Sequence, residues 1–143
     1  MGLDHPLARA AMQEIADLHA FFEAWLGGRL DRTGAVFARL ENVLGEEFSM
    51  VSPGGVRLRR SDVTSWIWDA HGTREKTGGF RIVAVEPELL LLRAPLVVLR
   101  YVEEQEADGI VTRRWATAVF EVGGEAGSVR WLALQETWIP PGS

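Results

Sequence analysis

The chain has 143 residues, a formal net charge of −5 at pH 7, 47% hydrophobic and 24% charged residues, and no cysteine. That is enough chain to bury the core of one domain. The acidic balance excludes a sequence-independent nucleic-acid binder, which needs basic surface to displace counterions, and without cysteine there is no disulfide framework or thiolate metal site.

No apolar run approaches the ~20 residues of a membrane helix, and Leu89–Leu92 has only the length of a strand. The opening Met1-Gly2-Leu3-Asp4-His5-Pro6 has no basic segment leading into an apolar core, so no secretory signal is expected. Together these features predict a cytoplasmic protein with no membrane partner. Lys76 is the only lysine, in a polar loop segment, which argues against Schiff-base chemistry.

Asp4 is placed to cap a first helix with Pro6 in its opening turn. Leu7, Ala11, Ile15, Leu18, Phe22 and Trp25 recur at steps of three and four and form one apolar stripe. Gly27-Gly28 ends it. A second helix follows Thr33, with Val36, Phe37, Leu40, Val43 and Leu44 inward and Gly45 as its stop. Glu46–Val51 predicts a short strand, Ser52-Pro53-Gly54-Gly55 a turn, and Val56–Leu58 the return strand. Ser61 is placed to cap a third helix that buries Val63, Trp66, Ile67 and Ala70 and closes at Gly72.

A long strand series follows: Phe80–Val85, Glu88–Arg93, Leu96–Gln105, Ile110–Val122 and Ser128–Ile139. Pro87 predicts a bulge or an edge position. Ala107-Asp108-Gly109 and the segment Gly123–Gly127 read as hairpin connections. Helices first and an antiparallel sheet after them predict an α+β fold in which a curved sheet wraps the helices and leaves a pocket. There is no repeat or linker, so 1–143 reads as one domain with its core over about 7–139. Leu89–Leu92 and Leu96–Leu99 are apolar on both faces. A strand of that kind needs cover on both sides, so a homodimer through the outer sheet face is expected.

The order of these elements carries a resemblance. Two helices, the hairpin at Phe48–Gly55, a helix with Trp66 and His71-Gly72, and a long meander ending in Trp131 and Glu136-Thr137-Trp138 resemble the nuclear transport factor 2-like superfamily. Within it they are similar to the bacterial SnoaL-like and ketosteroid-isomerase-like branch. The resemblance implies a cone-shaped α+β roll, often dimeric, with a cavity for a small, largely apolar molecule between sheet and helices. Activities in the family include isomerases, cyclases, dehydratases and epoxide hydrolases, while other members bind or assemble without known catalysis.

By that likeness, Val129, Trp131, Ala133, Gln135 and Thr137 of the last strand face the cavity. Relatives often carry histidine where Gln135 stands here, and glutamine cannot exchange a proton near neutral pH. The expected ligand wall is Trp66, Trp115, Thr117, Trp131, Gln135 and Thr137, although paired tryptophans also suit a plain core. Candidate chemistry rests on Tyr101 as a donor to a developing oxyanion and on Glu103 or His19 as base. The other reading makes Glu103, Glu104 and Glu106 a solvated strand end opposite Arg113 and Arg114. Glu136 falls on the outward face, paired with an arginine such as Arg100 or Arg130. His5, His19 and His71 lack metal-ligand spacing, and no nucleotide-binding or nucleophile-elbow motif is present, so neither metal nor cofactor is expected. A pocket protein, an enzyme of the isomerase, cyclase or dehydratase kind, and a dimeric assembly module with a vestigial pocket all remain open.

Overall fold

The apolar stripe of the first helix becomes α1 (Pro6–Leu26), which buries Ala8, Ala11, Ile15, Leu18 and Trp25. The computed structural model describes residues 2–76, 79–123 and 128–142. The cap of α1 is His5, whose Nδ1 accepts from the Leu7 amide at 3.1 Å, while Asp4 lies in a preceding 3-10 turn. α2 (Gly34–Glu41) is capped by Thr33 and ends at Asn42, earlier than Gly45 suggests, because Leu44 already begins a strand. α3 (Arg60–Asp69) starts before Ser61, with the Asp62 carboxylate accepting from the Arg59 amide at 2.9 Å.

The strands are β1 (Leu44–Val51), β2 (Arg57–Arg59), β3 (Arg81–Arg93), β4 (Leu96–Ala107), β5 (Ile110–Gly123) and β6 (Ser128–Trp138). They form one sheet in the order β2-β1-β6-β5-β4-β3. The expectation of an antiparallel sheet holds for every neighbouring pair but one. β1 runs parallel to β6, a pairing that no hairpin constrains because the two strands are far apart in the chain. Asp108 and Gly109, both at positive φ, make the two-residue turn between β4 and β5. Residues 124–127 of the expected second hairpin lie outside the described residues.

β3 is an edge strand, and its register breaks between Val85 and Glu88, so Pro87 sits both at an edge and at a bulge. A second break between Leu89 and Leu91 splits the four-leucine run: Leu89 and Leu92 pack on the core, while Leu90 and Leu91 are exposed.

The inner sheet face is set by lateral rows across β4, β5 and β6. Val97, Phe120 and Trp131 form one row, and Leu99, Ala118 and Leu134 the next. Tyr101, Ala116 and Glu136 follow, then Glu103, Arg114 and Trp138. Ala116 and Ala118 are fully buried where α1 crosses the sheet, and such small side chains let a helix approach closely. Trp25 is also fully buried, donates from its indole to the Ile67 carbonyl at 2.7 Å, and packs against Phe21, Phe37, Trp68 and His71. It ties α1 to α2 and α3.

β6 contains one extra residue. Trp131 pairs with Phe120 and Ala133 with Val119, so Leu132 has no counterpart on β5. Because side chains alternate, one unmatched residue transfers everything after it to the other face. Trp131 therefore points inward, as expected, but Leu134 and Glu136 do too, and Gln135 and Thr137 point outward.

Candidate functional site

Between α1, α3 and the inner sheet face lies a cavity of about 470 Å³. Most of its wall is apolar: Leu18, Phe22 and Leu26 from α1, Phe48 and Met50 from β1, Val63 and Ile67 from α3, and Trp131 and Leu134 from β6. The opposite part is polar and gathers His19, Tyr101, Glu103, Gln105, Arg114 and Glu136, with Arg74 also in the lining and exposed. A mainly apolar wall with a few convergent polar groups is the usual makeup of a small-ligand site.

Five of these groups, His19, Glu103, Gln105, Arg114 and Glu136, form one network. His19 Nδ1 lies 2.7 Å from the Ile15 carbonyl oxygen, which can only accept, so this nitrogen carries a proton. Its Nε2 lies 2.8 Å from Glu103 Oε1. Gln105 donates to Glu103 Oε2 at 2.9 Å, and Arg114 Nε stands 3.2 Å from that oxygen. Arg114 Nη1 donates to Glu136 Oε1 at 3.3 Å, a long distance for a charged pair. The Arg114 guanidinium also stacks over Trp138 at 4.6 Å. Although close to Glu103, Arg114 Nε is buried without an aligned hydrogen bond. Glu103 has both oxygens engaged. Glu136 has one partner through one oxygen.

Burial opposes charge on every member of this group, and its neighbours decide the outcome. For His19, burial favours the neutral ring, but the hydrogen bond and charge of Glu103, helped by the Ile15 carbonyl and Glu136, outweigh it and raise the pKa. For Glu103, burial pushes upward, but the hydrogen bond and charge of His19, together with Arg114 and Gln105, hold the carboxyl below its usual range. The pair is therefore an imidazolium and a carboxylate. For Glu136, burial and the adjacent Glu103 charge prevail over Arg114 and His19 and lift the pKa to about 7. Burial, then the charges of Glu103 and Glu136, push the Tyr101 phenol well above its ordinary value despite Arg114, so it remains a donor.

The tertiary structure brings together His19, Tyr101, Glu103, Trp66 and Trp131 of the expected site residues. Trp66 stands at the rim, 55% exposed, where a buried position was expected. Trp115, Thr117, Gln135 and Thr137 do not line the cavity. Trp115 pairs with Thr137 and Thr117 with Gln135 on the outer face, and Trp115 is 44% exposed. On β5 the inward set is Arg114, Ala116, Ala118 and Phe120, the opposite parity to that expected. On β6 the bulge at Leu132 reverses the expected parity.

The expected cross-strand pairing of the acids with Arg113 and Arg114 is present, but Glu103 is buried in the cavity and not part of a solvated strand end, and its partners hold its pKa down where burial alone was expected to raise it. Glu104 pairs with Arg113 on the outer side of the strand end, while Glu103 pairs with Arg114 on the inner side. Glu136 and Arg114 were missed as cavity residues. Arg100, one partner suggested for Glu136, binds Glu88 instead. The only sequence signal for Arg114 was its cross-strand position opposite Glu103.

No protein-family profile matches this sequence, and no curated protein matches it. Solved structures do. The chain is similar to an NTF2-like protein of unknown function from Pseudomonas aeruginosa, with 29% identity and a TM-score of 0.81 over 92% of this chain and 99% of that one. It is similar in fold to a provisionally assigned ketosteroid isomerase from Shewanella frigidimarina, with 14% identity and a TM-score of 0.63 over 95% of this chain and 98% of that one. It is likewise similar to a provisionally assigned dehydratase of the NTF2-like family from Streptomyces avermitilis, with 15% identity and a TM-score of 0.65 over 94% and 99% of the two chains.

Glu136 makes stability depend on pH. Its folded pKa of about 7 lies above the ordinary 4.5, so the folded chain holds this proton more tightly than the unfolded chain. The associated stability is complete below the unfolded value and is lost as pH rises through about 7. Glu136→Gln removes that loss. Urea unfolding is expected to show the variant gaining about 2 kcal/mol on the wild type between pH 5 and pH 8. An equal difference at both pH values contradicts the assignment.

Proposed function

We propose that this chain, which belongs to the nuclear transport factor 2-like superfamily, binds a small, largely apolar molecule between its sheet and its helices. The observation that carries this reading is the cavity of about 470 Å³, walled by Leu, Phe, Met, Val and Ile side chains and polar on one side. Its size falls within the ~300–1,000 Å³ typical of small-ligand pockets. An assembly module with a vestigial pocket would instead pack this space with side chains. The proposed binding residues are Trp66 at the rim, Trp131 and Leu134 on the sheet, and Tyr101 and Glu136 on the polar side.

A neutral fluorescent apolar probe, N-phenyl-1-naphthylamine, tests the reading. Saturable one-to-one binding with a blue-shifted emission is expected. Leu134→Trp, which fills the cavity, is expected to weaken it at least ~10-fold, a loss of about 1.4 kcal/mol. Gln135→Ala, on the outer face, leaves it unchanged. Absence of saturable binding in the wild type rules the reading out.

A second reading, catalysis of the isomerase, cyclase or dehydratase kind, draws support from one feature. A carboxyl with a pKa of about 7 lines the same cavity as a protonated phenol. A general acid or base works best near the operating pH, which suits Glu136 better than the doubly engaged Glu103. His19 holds Glu103, and Tyr101 offers its hydroxyl to a developing oxyanion. Such an enzyme exchanges the α-protons of an apolar ketone with deuterated solvent, and Glu136→Gln is expected to abolish that exchange. Retention of exchange in the variant excludes this role for Glu136.

The outer sheet face supports a partner of the same kind as the chain itself. Trp115 is 44% exposed there, beside Thr117, Gln135 and Thr137. A large aromatic side chain on a solvent-facing sheet is typical of an interface. Sedimentation equilibrium is expected to give a dimer for the wild type and a monomer for Trp115→Glu. A monomeric wild type at micromolar concentration disproves the dimer.

A further inference from the structure

The cavity's titratable lining is not balanced. His19, Arg74 and Arg114 carry positive charge, and Glu103 answers with one firm negative charge. Glu136 is the remaining acid, and it is poorly held: one Arg114 contact at 3.3 Å, and no partner for Oε2 among the described residues. Tyr101 stands in the same lateral row, two strands away with the small Ala116 between them, and both residues line the cavity. That hydroxyl has no hydrogen-bond partner among the described residues.

From this geometry we infer that the ligand is an amphiphile with an apolar body and one anionic oxygen group, of the carboxylate class, which seats on the polar side of the cavity against Tyr101 and Glu136. The inference rests on the binding reading above and narrows its ligand class. With Glu136 as a carboxylic acid, the polar side offers two donors, the phenol and the acid, and carries a surplus of positive charge that an anion reduces. An O–H···O⁻ bond between a carboxylic acid and a carboxylate is a short, strong contact. With Glu136 ionised, the same ligand would set carboxylate against carboxylate.

The proton balance is simple. The ligand carboxylate keeps its charge, and Glu136 gains one proton from solvent wherever it was ionised beforehand. Its pKa of about 7 means that roughly half of a proton is taken up per ligand at pH 7. The groups that act on Glu136 are His19 from α1, Glu103 from β4 and Arg114 from β5, with Tyr101, Gln105 and Arg74 elsewhere in the same lining. His19 already holds its proton against Glu103, and Tyr101 stays protonated. Glu136 is therefore the group able to respond.

Three probes of equal length separate the possibilities: octanoate, 1-octanol and octylamine, titrated calorimetrically into the full chain in buffers of different ionisation enthalpy. At pH 7 octanoate is expected to bind at least ~10-fold more tightly than the other two, and with proton uptake. Its affinity is expected to fall by about tenfold per pH unit above 7. In Glu136→Gln the uptake and the pH dependence disappear while octanoate still binds. Tyr101→Phe weakens octanoate more than it weakens octanol, because a bond to an anionic acceptor is the stronger one. Octanol or octylamine binding as tightly as octanoate, or proton uptake that persists in Glu136→Gln, overturns the ligand class and leaves the apolar cavity reading standing. Failure of all three, and of the neutral fluorescent probe, overturns both.

Discussion

Burying Glu103 beneath the first helix is tolerable because His19, Arg114 and Gln105 all reach it. A buried carboxylate without partners would favour unfolding or remain protonated. This requirement fixes much else. α1 must lie close enough to the sheet for His19 to reach β4, and the fully buried Ala116 and Ala118 on the adjacent β5 leave room for that approach. Arg114 must turn inward, although its neighbour Arg113 faces outward to Glu104 and Glu86. Once Arg114 is shared between two acids, Glu136 is left with a weak hold and a proton it gives up only near neutrality.

The bulge at Leu132 determines which acid that is. Without the extra residue, the alternation of β6 would carry Gln135 inward and Glu136 outward, giving a cavity with an amide in place of an ionisable group. Gly45 on β1 faces this irregularity, where an added Cβ would lie 3.1 Å from the Trp131 carbonyl oxygen. The β1 register breaks at the same place, between Leu44 and Ser49. One local irregularity thus sets both the shape of the sheet next to α3 and the chemistry of the cavity wall.

The elements were legible wherever a periodic apolar pattern was long. The stripe from Leu7 to Trp25 gave α1, and the Asp108-Gly109 turn gave the register of β4 against β5. Ends were less legible, because caps depend on which neighbour arrives: His5 rather than Asp4, Asn42 rather than Gly45. The site was half legible. Tyr101 and Glu103 share a strand parity that holds from Leu96 to Gln105, so their common face could be read directly. For β5 the alternation was equally regular, but nothing in it states which set faces the helices, and the parity carried over from the last strand by family likeness puts Trp115 on the wrong side.

The sequence by itself determined the elements, their order, and with them the α+β layer, because helical and strand periodicities are local properties of side-chain spacing. It also marked His19, Tyr101 and Glu103 as candidates, without deciding that they meet. Only the tertiary structure decided which face of β5 and of the end of β6 closes the cavity. That choice depends on one unmatched residue and on a charge network assembled from three strands and a helix, and neither leaves a trace in the spacing of any single segment.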